Sequence, residues 1–418
     1  MLTFTKVQAV KPSVLSKSFA LKDDKLVASP GGKLWEGKAI RMTLPTIREF
    51  SETLQSLTPN EALLFGAAQK TEITIYSKAA LEKHKLKNEE GVARTRINFT
   101  WPKGPGIFML DYDPYGTNVF TREQLLERLY AAWPALRSAP HIWRPSVSSC
   151  LINMNTGEVL KPIRGQRVYV AVKNAEDIQR AGNNLYARLW LTGDGFLTLS
   201  KSGAVLDRNI IDASVWQPER LDFCGGARCE PPVKQSLPRP VVYNEFSSPI
   251  DTRLTLPELS NEQRSFLNQK KKESREKLNV PMKKTREKWI EERLSENPKI
   301  PRQVYERAVS ECTLNGDFVL HSEHGNLITV DALLCNPEKY HALRFKDPLE
   351  PEYGNGNILA WVNLKVEKPY INSFAHGGIK YSLMGSEPVM KKYMEHFKKM
   401  TEEKNKGHKK DEMVSVRS

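Results

Sequence analysis

The amino-acid sequence predicts a mixed α/β fold, of the α+β kind, divided into two or three domains. Short β-rich runs such as GIFMLDYD and QRVYVAV alternate with helical stretches such as REQLLERLYAAW. With 418 residues the chain is too long for one ordinary domain. Hydrophobic residues make up 39% and charged residues 27%, which is enough apolar content for folded cores at this length.

Local signals place the elements of a first domain over residues 1–246. Thr121 is an N-cap candidate, and Gln124 three residues later completes a capping box. The helix NAEDIQRAGNNLYARLW has acidic residues in its first turn and Arg188 near its end, which suits the helix dipole. After Phe223 the sequence becomes rich in Gly and Pro, which excludes a long helix or a central strand. We expect this stretch to wrap the first domain.

Two highly charged segments then predict a helical connector over residues 247–300. Their apolar positions are sparse, and Pro281 separates them. This composition favours a solvated connector or an arm that faces nucleic acid over a core element. From about Pro301 the patterning is mixed again, which predicts a small accessory domain over 301–418 that ends in a basic, disordered tail.

The charge balance indicates a polyanionic partner. The chain has 63 Lys and Arg against 49 Asp and Glu, a formal net charge of +14, which favours nucleic acid or an anionic membrane surface. No apolar run approaches the roughly 18–20 residues that span a bilayer, and the amino terminus lacks a secretory signal. We therefore expect nucleic acid, not a membrane, as the partner.

The five cysteines are few and odd in number, which fits a reducing cytoplasm better than a disulfide framework. Cys224 and Cys229 have the separation of zinc ligands, but no second pair follows nearby, so zinc is not expected. Four further candidate zinc ligands are loosely spaced, and we interpret them as structural thiols and surface histidines. They are Cys312, His321, His324 and Cys335.

The strongest chemical signal is a pair of carboxylates at the end of a strand. Ile107–Leu110 form an apolar run, and Asp111 and Asp113 follow it on one face because strand side chains alternate. Two such carboxylates suit a divalent cation, which supports phosphoryl transfer when two metals act together. On spacing alone, a surface turn beside a strand explains the pair equally well.

A second carboxylate strengthens the metal hypothesis. Asp212 follows Ile210 and Ile211, again at an expected strand end, and adjacent antiparallel strands would bring it beside the first pair. Polar side chains between these positions, mostly hydroxyls and guanidiniums, suit a triphosphate. These groups are Arg144, Ser146, Ser148, Ser149, Gln166 and Arg167.

Together these segments resemble the archaeo-eukaryotic primase superfamily, in the primase-polymerase branch carried by phages, plasmids and other mobile elements. Its first motif is an apolar strand that ends in Asp-x-Asp, matched by Asp111 and Asp113. Its third is an apolar residue followed by Asp, matched by Ile211 and Asp212. The run SVWQPERLDFCGGARC resembles the Ser-Val-x-x-Pro-x-Arg-Leu-x-Phe run of many phage and plasmid members. The resemblance covers most of residues 1–246.

The second motif departs from the family pattern. The family has Ser-x-His, or serines that lead into Gly-x-His-x-Tyr. Here the serines are followed by the insert LINMNTGEVLKPIR and then by Gly165-Gln166-Arg167-Val168-Tyr169, so Arg167 stands where the histidine is expected. A guanidinium can bind a triphosphate, but it cannot accept a proton as a neutral base.

The resemblance implies an RRM-like catalytic sheet beside an amino-terminal α/β unit, in a primase or polymerase of the bacterial cytoplasm. The implied reaction joins nucleotides on a single-stranded DNA template, with a primer and nucleoside triphosphates. Asp111, Asp113 and Asp212 would be catalytic and would hold Mg²⁺ or Mn²⁺. The implied triphosphate ligands are Ser148, Ser149 and Arg167, with Lys201 and Arg220 as weaker candidates.

The carboxyl-terminal domain carries a second resemblance. The segments DPLEPEYGNGN and INSFAHGGIKYSL resemble a module that follows the primase domain in phage and plasmid primase-helicases. The chain has no G-x-x-x-x-G-K-[ST] loop, so we expect no ATP-driven motor in it. By analogy, a separate replicative helicase would be a partner. For His376, a tight turn is favoured over a catalytic role.

Two alternatives to a polymerase stay open. The presence of Arg167 where the family has histidine is compatible with a non-catalytic protein that binds single-stranded DNA through a degenerate primase fold. The same carboxylates would also serve a metal-dependent nuclease. Retention of all three aspartates argues against degeneracy, because unpaired carboxylates in a cleft are costly.

Overall fold

The computed structural model describes the backbone of residues 1–85 and 91–415 and the side chains of 1–83 and 91–402. The chain forms two compact units, of which the first comprises Met1–Phe196 and Arg208–Lys270, and the second Leu197–Asp207 and Lys271–Ser418. Several small sheets are combined with helices, so the predicted mixed α/β class is confirmed. Among the described residues, no helix is long and apolar enough to cross a membrane.

The first unit begins with a five-stranded sheet in the order β5-β1-β4-β6-β7. Helix α1 starts after Thr46, whose side chain forms a capping box with Glu49. Strands β2 and β3 form a separate antiparallel hairpin. The elements are β1 (Leu2–Lys11), β2 (Ser18–Lys22), β3 (Lys25–Ser29), β4 (Glu36–Leu44), α1 (Ile47–Ser56), β5 (Glu61–Leu64), β6 (Glu72–Tyr76), α2 (Lys78–Lys85) and β7 (Val92–Ala93).

The rest of the first unit surrounds a central four-stranded antiparallel sheet. Its elements are β8 (Gly106–Tyr112), α3 (Arg122–Ala132), β9 (His141–Pro145), β10 (Leu151–Asn153), β11 (Val159–Lys161), β12 (Gln166–Val172), α4 (Ile178–Thr192), β15 (Arg228–Cys229), β16 (Val233–Gln235), β17 (Val241–Tyr243) and α5 (Thr252–Thr255). The paired strands β13 (Gly195–Leu199) and β14 (Val205–Asn209) lie mostly in the second unit. The sheet order is β17-β9-β12-β8, and Ile211 pairs with Tyr112 on the free edge of β8. The insert in the second motif forms β10 and β11, and β10 pairs with both β11 and β16 in a separate three-stranded sheet.

Both faces of the central sheet are buried. On one face Phe108 packs against the Trp133 and Trp216 rings, with centroids 5.9 and 5.8 Å apart. On the other face Tyr169 contacts Phe50 of α1. The capping box predicted for Thr121 and Gln124 is confirmed, and helix α3 begins there. The sheet therefore packs between helices and the amino-terminal part of the unit, and Asp111 and Arg167 near its strand ends line a cavity.

The second unit has a five-stranded sheet in the order β18-β24-β23-β22-β21. Its elements, with the helix α6 that leads into it, are α6 (Asn261–Lys277), α7 (Asn279–Glu296), α8 (Arg302–Glu311), β18 (Thr313–Asn315), β19 (Val319–His321), β20 (Leu327–Thr329), α9 (Val330–Cys335), α10 (Pro337–Tyr340), β21 (Arg344–Phe345), α11 (Tyr353–Gly356), β22 (Ala360–Asn363), β23 (Tyr370–Ser373), β24 (Ile379–Met384) and α12 (Glu387–Ser415). The predicted carboxyl-terminal tail is helical in α12 as far as Ser415, and residues 416–418 lie outside the described residues.

The division into two units differs from the predicted three-part division at 246 and 300. Leu256 is fully buried in the core of the first unit, so that unit extends past 246. The charged segments do form two helices, and Pro281 lies in the first turn of α7, where a missing N–H is tolerated. Helix α6 has no buried residue, but α7 buries Trp289 and Ile290 in the second core. The second charged segment is thus partly a core element.

A buried polar cluster in the second unit predicts acid sensitivity. Glu350 is 3% exposed and accepts hydrogen bonds from Ser202 N at 2.9 Å and His376 Nε2 at 3.0 Å. Burial acts to raise the Glu350 pKa, but these hydrogen bonds outweigh it and lower the pKa to about 2. The ionised carboxylate therefore contributes stability that is fully present above its unfolded pKa of 4.5 and is lost as the pH falls towards 2.

We expect Glu350→Gln to flatten the dependence of unfolding free energy on pH between pH 5 and pH 2, measured by urea titration. The exposed Glu352→Gln is the control, because its partner Lys201 is also exposed and such pairs contribute little. A slope that stays the same in Glu350→Gln would contradict the assignment.

Candidate functional site

The two carboxylates of the Asp-x-Asp pair line one cavity of the first unit. Asp111 lies near the end of β8 after the buried run Ile107–Leu110, and Asp113 follows directly after the strand. Asp111 is half-buried and Asp113 is exposed. Both line a cavity of about 240 Å³. The alternation expected from the sequence thus places both side chains at the same opening. The other lining residues are Leu15, Lys17, Gly31, Gly32, Ser146, Val147, Ser148, Arg167 and Phe223.

Arg167 connects Asp111 to a third, buried carboxylate. It lies directly opposite Asp111 in the register of β12 with β8, and its Nε donates to Asp111 Oδ1 at 3.3 Å. Its Nη1 donates to Asp222 and to the carbonyl of Phe223. Asp222 is 1% exposed and also accepts a hydrogen bond from the Tyr169 hydroxyl at 2.8 Å. These contacts make Arg167 a positioning residue for Asp111.

The charged groups around Asp111 act on its pKa in opposite directions. Burial raises the pKa of Asp111; the charge of Arg167 opposes the shift, and the charges of Asp113 and Asp222 reinforce it. Burial acts to lower the pKa of Arg167, but Asp222 and Asp111 raise it well above its ordinary value, so the guanidinium stays charged. Arg167 pairs with two of these carboxylates, Asp111 and Asp222, while Lys17 lines the same cavity and Lys161 interacts with Asp113. The oxygen donors of Asp111 and Asp113 suit Mg²⁺, which proteins commonly hold through one or two carboxylates and substrate phosphates.

The serines of the second motif have different environments. The Ser146 hydroxyl lies 3.3 Å from both the Ser148 and the Ser149 hydroxyl. Ser148 lines the cavity, as expected for a triphosphate ligand. Ser149 is fully buried, and its hydroxyl accepts from the Arg164 amide at 3.3 Å. Its hydroxyl therefore holds the loop in shape and does not line the cavity.

Gly165 allows the start of β12 to lie close to Ser146 and Asp113. A Cβ at this position would lie 2.8 Å from Ser146 Oγ and 3.1 Å from Asp113 Oδ1. The glycine therefore fits closely between the start of β12 and two residues of the cavity.

We expect Gly165→Ala to displace Ser146 and Asp113 and to reduce the free energy of unfolding by about 1–3 kcal/mol, the usual effect of overpacking. Binding of Mn²⁺ should weaken as well, measured by titration calorimetry. Adding Ser146→Ala removes the closest contact and should recover part of the stability. Equal stability of Gly165→Ala and the unaltered chain would show that the loop accommodates a Cβ.

The backbone of Asp212 lies beside Asp111, but its carboxylate has a local partner. The Asp212 amide donates to the Asp111 carbonyl at 2.9 Å, next to the bridge between Ile211 and Tyr112. The carboxylate accepts from the amide and hydroxyl of Ser214 at 2.8 and 2.7 Å. It is exposed and caps a short 3₁₀ helix, and it is not among the cavity-lining residues. Over residues 1–85 and 91–415, no group of three or more His, Cys, Asp or Glu is arranged to hold a metal ion.

The two weaker triphosphate candidates lie elsewhere. Lys201 belongs to the second unit, is exposed, and pairs with Glu352 at 3.1 Å. Arg220 is exposed in the loop after Trp216 and does not line the cavity.

Of the cysteines, Cys224 is buried, and its thiol donates to the Asp222 carbonyl at 3.4 Å.

Two contributors to the site were missed by the sequence analysis. Asp222 stands inside the quoted run SVWQPERLDFCGGARC, so a signal existed, but it was not recognised as a partner of Arg167. Lys17 lines the cavity from a segment almost a hundred residues before Asp111, where nothing in the local pattern marks it.

A comparison with protein-family models, curated proteins and solved structures found no match to this chain.

Proposed function

We propose that the chain is a metal-dependent nucleotidyltransferase that synthesises primers or extends DNA on a single-stranded template. The observation that carries the proposal is the shared cavity of Asp111 and Asp113 with Lys17, Ser148 and Arg167. It brings carboxylates for cations and cationic or hydroxyl groups for phosphate oxygens into one opening. The formal net charge of +14 suits a nucleic-acid template.

The strand order supports the more specific proposal of an RRM-like core. Apart from the pairs β10–β11 and β13–β14, which belong to other sheets, the order along the chain is β8-α3-β9-β12-α4 and then the segment of Ile211. In the sheet, Ile211 pairs with one edge of β8. Strand β12 pairs with the other edge of β8, and β9 lies next to β12. This order matches the one expected for the β-α-β-β-α-β arrangement of an RRM sheet, in which the first and third strands are central, and so supports the proposal. The Asp-x-Asp pair lies at the end of its first strand.

In the proposed reaction, a primer 3′-hydroxyl attacks the α-phosphate of a nucleoside triphosphate, and pyrophosphate leaves. Asp111 and Asp113 hold Mg²⁺ or Mn²⁺, which supplies activation of the hydroxyl and stabilisation of the leaving oxygen. Arg167 fixes the Asp111 carboxylate through its Nε contact and stays charged at the edge of the phosphate site. Lys17 and Ser148 contact phosphate oxygens. Asp212, whose carboxylate caps the following turn, keeps the neighbouring backbone in place against the Asp111 carbonyl.

The Arg167 contacts also give weight to the non-catalytic alternative. A guanidinium that bonds to Asp111 competes with a cation for that carboxylate. A DNA-binding protein with the same fold would keep this ion pair permanently. The nuclease alternative rests on the same two carboxylates and differs only in the nucleophile.

Incubation of the full chain with a labelled primer on a template, Mg²⁺ or Mn²⁺ and all four nucleotides separates these functions. The proposal predicts longer products with deoxynucleotides or ribonucleotides. Unchanged primer would identify a binding protein, and shorter products would identify a nuclease. By the resemblance, the setting is replication of a phage, plasmid or other mobile element in the bacterial cytoplasm, and a separate helicase is a candidate partner.

A further inference from the structure

A second cavity in the first unit lies at the carboxyl end of α1. Its volume is about 220 Å³. It is distinct from the carboxylate cavity, since the two have no lining residue in common. Two of its lining residues, Arg144 and Arg239, are cationic, and none is acidic. The others are Leu54, Gln55, Leu57, Cys224, Gly226, Leu237, Pro238 and Pro240.

Arg144 is a buried cation without a carboxylate partner. The residue is 6% exposed on β9, and its Nη1 donates to the Leu54 carbonyl at 3.3 Å. That carbonyl belongs to the last turn of α1, whose partial negative charge offsets at most about half of the guanidinium charge. Within the part of the chain that the structure describes, no carboxylate lies within 4.0 Å of Arg144. Only Nη1 donates to an acceptor in that part of the chain, and the other guanidinium nitrogens are not fully buried, so water reaches them.

The neighbouring acids do not supply the missing negative charge. Burial raises the pKa of the Cys224 thiol well above its ordinary value, so the thiol stays neutral. Burial does the same for the Tyr169 hydroxyl. The buried carboxylate of Asp222, two residues before Cys224, already accepts from Arg167 and Tyr169. Arg144 thus has no anionic partner among the described residues, and an oxyanion that enters the cavity can pair with its guanidinium.

Arg239 adds a second cation at the same cavity. It is exposed, in the segment between β16 and β17, and no ion pair to a described carboxylate involves it. A buried arginine and an exposed one on one cavity can hold an oxyanion from two sides, because guanidinium donors match phosphate oxygens. Small-molecule pockets are usually about 300–1,000 Å³, so this smaller cavity suits a phosphate group better than a whole nucleotide.

We propose that the cavity between the end of α1, Arg144 and Arg239 binds a phosphate group. The group is either free phosphate or a phosphate of a nucleic-acid strand, and both present the same oxyanion to the two guanidiniums. The site is separate from the carboxylate cavity and does not depend on nucleotidyl transfer. Loss of polymerase activity would therefore leave this assignment untouched.

The test uses the full chain and inorganic phosphate as the probe, with chloride at matched ionic strength as the reference. We expect phosphate to bind the unaltered chain in titration calorimetry and to raise its Tm beyond the general effect of an excluded anion. Arg144→Gln should weaken phosphate binding by about 10- to 100-fold, the usual effect of losing a charge-assisted contact. Arg239→Ala, at an exposed position, should also weaken it and covers the case in which Arg144→Gln fails to fold. The control is Arg228→Ala, because Arg228 is exposed and outside the cavity.

Equal phosphate affinity in Arg239→Ala and the unaltered chain, or no binding at all, would overturn the proposal. A competition experiment distinguishes the two sources. If phosphate displaces single-stranded DNA from the unaltered chain but not from Arg239→Ala, the site takes strand phosphates. If phosphate binds without affecting DNA affinity, the site takes free phosphate. Either result supports an oxyanion site.

Discussion

Replacing Asp111 and Asp113 by asparagine together should abolish nucleotide incorporation, with a loss on the order of 1,000-fold or more. Both carboxylates line the same cavity, and asparagine keeps their shape while removing the negative charge that holds a divalent cation. Metal stabilisation of the transition state is worth several kcal/mol, and each 1.36 kcal/mol is about tenfold in rate. The measurement is the initial rate of primer extension at saturating Mg²⁺ and nucleotide.

Affinity for single-stranded DNA should change little in the same variant, because it depends on basic residues. Asp24→Asn is the matched control, since Asp24 is an exposed carboxylate in the turn between β2 and β3, where asparagine tolerates the positive φ of 58°. Full incorporation by the double variant would contradict the assignment of the metal site.

Removing Arg167 should destabilise the first unit by about 3–5 kcal/mol, because two carboxylates would lose their shared cation. Asp222 is buried, and the guanidinium is its only ion-pair partner among the described residues. For a unit of this size the expected loss in Tm is on the order of 10 °C. Thermal unfolding of Arg167→Ala beside the unaltered chain measures it.

Arg137→Ala provides the comparison for Arg167→Ala. Arg137 also pairs with a carboxylate, that of Glu127, but both side chains are 61% exposed. Such surface pairs contribute about 1 kcal/mol or less. If Arg167→Ala and Arg137→Ala have the same small effect on Tm, the buried ion pair is not needed for folding. A tighter Mn²⁺ affinity in Arg167→Ala would show that the guanidinium competes for Asp111.

The Asp-x-Asp pair was predictable because its signal is local. A buried apolar run followed by alternating carboxylates places Asp111 and Asp113 on one face, and the structure has both at one cavity. The capping box at Thr121 is local in the same way. In each case all the residues that determine the geometry lie within a few positions of one another.

Contacts between distant segments were not predictable from spacing. Arg167 was interpreted as a triphosphate ligand, but its Nε and Nη1 donate to Asp111 and Asp222, 56 and 55 residues away. Trp289 lies in a charged segment that appeared fully solvated, yet it is 4% exposed in the second core. One or two apolar residues are enough to dock the helix when the rest of the same unit supplies the remaining apolar surface. Such pairings depend on the tertiary arrangement and leave no periodic signal.

The most direct test of the proposed function is single-nucleotide incorporation opposite a defined template base. The unaltered full chain is incubated with a labelled primer on four templates that differ only in the first unpaired base, with one nucleotide at a time and Mg²⁺ or Mn²⁺. The proposal predicts a one-nucleotide extension only with the complementary nucleotide, lost on chelation with EDTA and in the variant with Asp111→Asn and Asp113→Asn. Absence of extension with every nucleotide and both metals, or extension that ignores the template base, would contradict it.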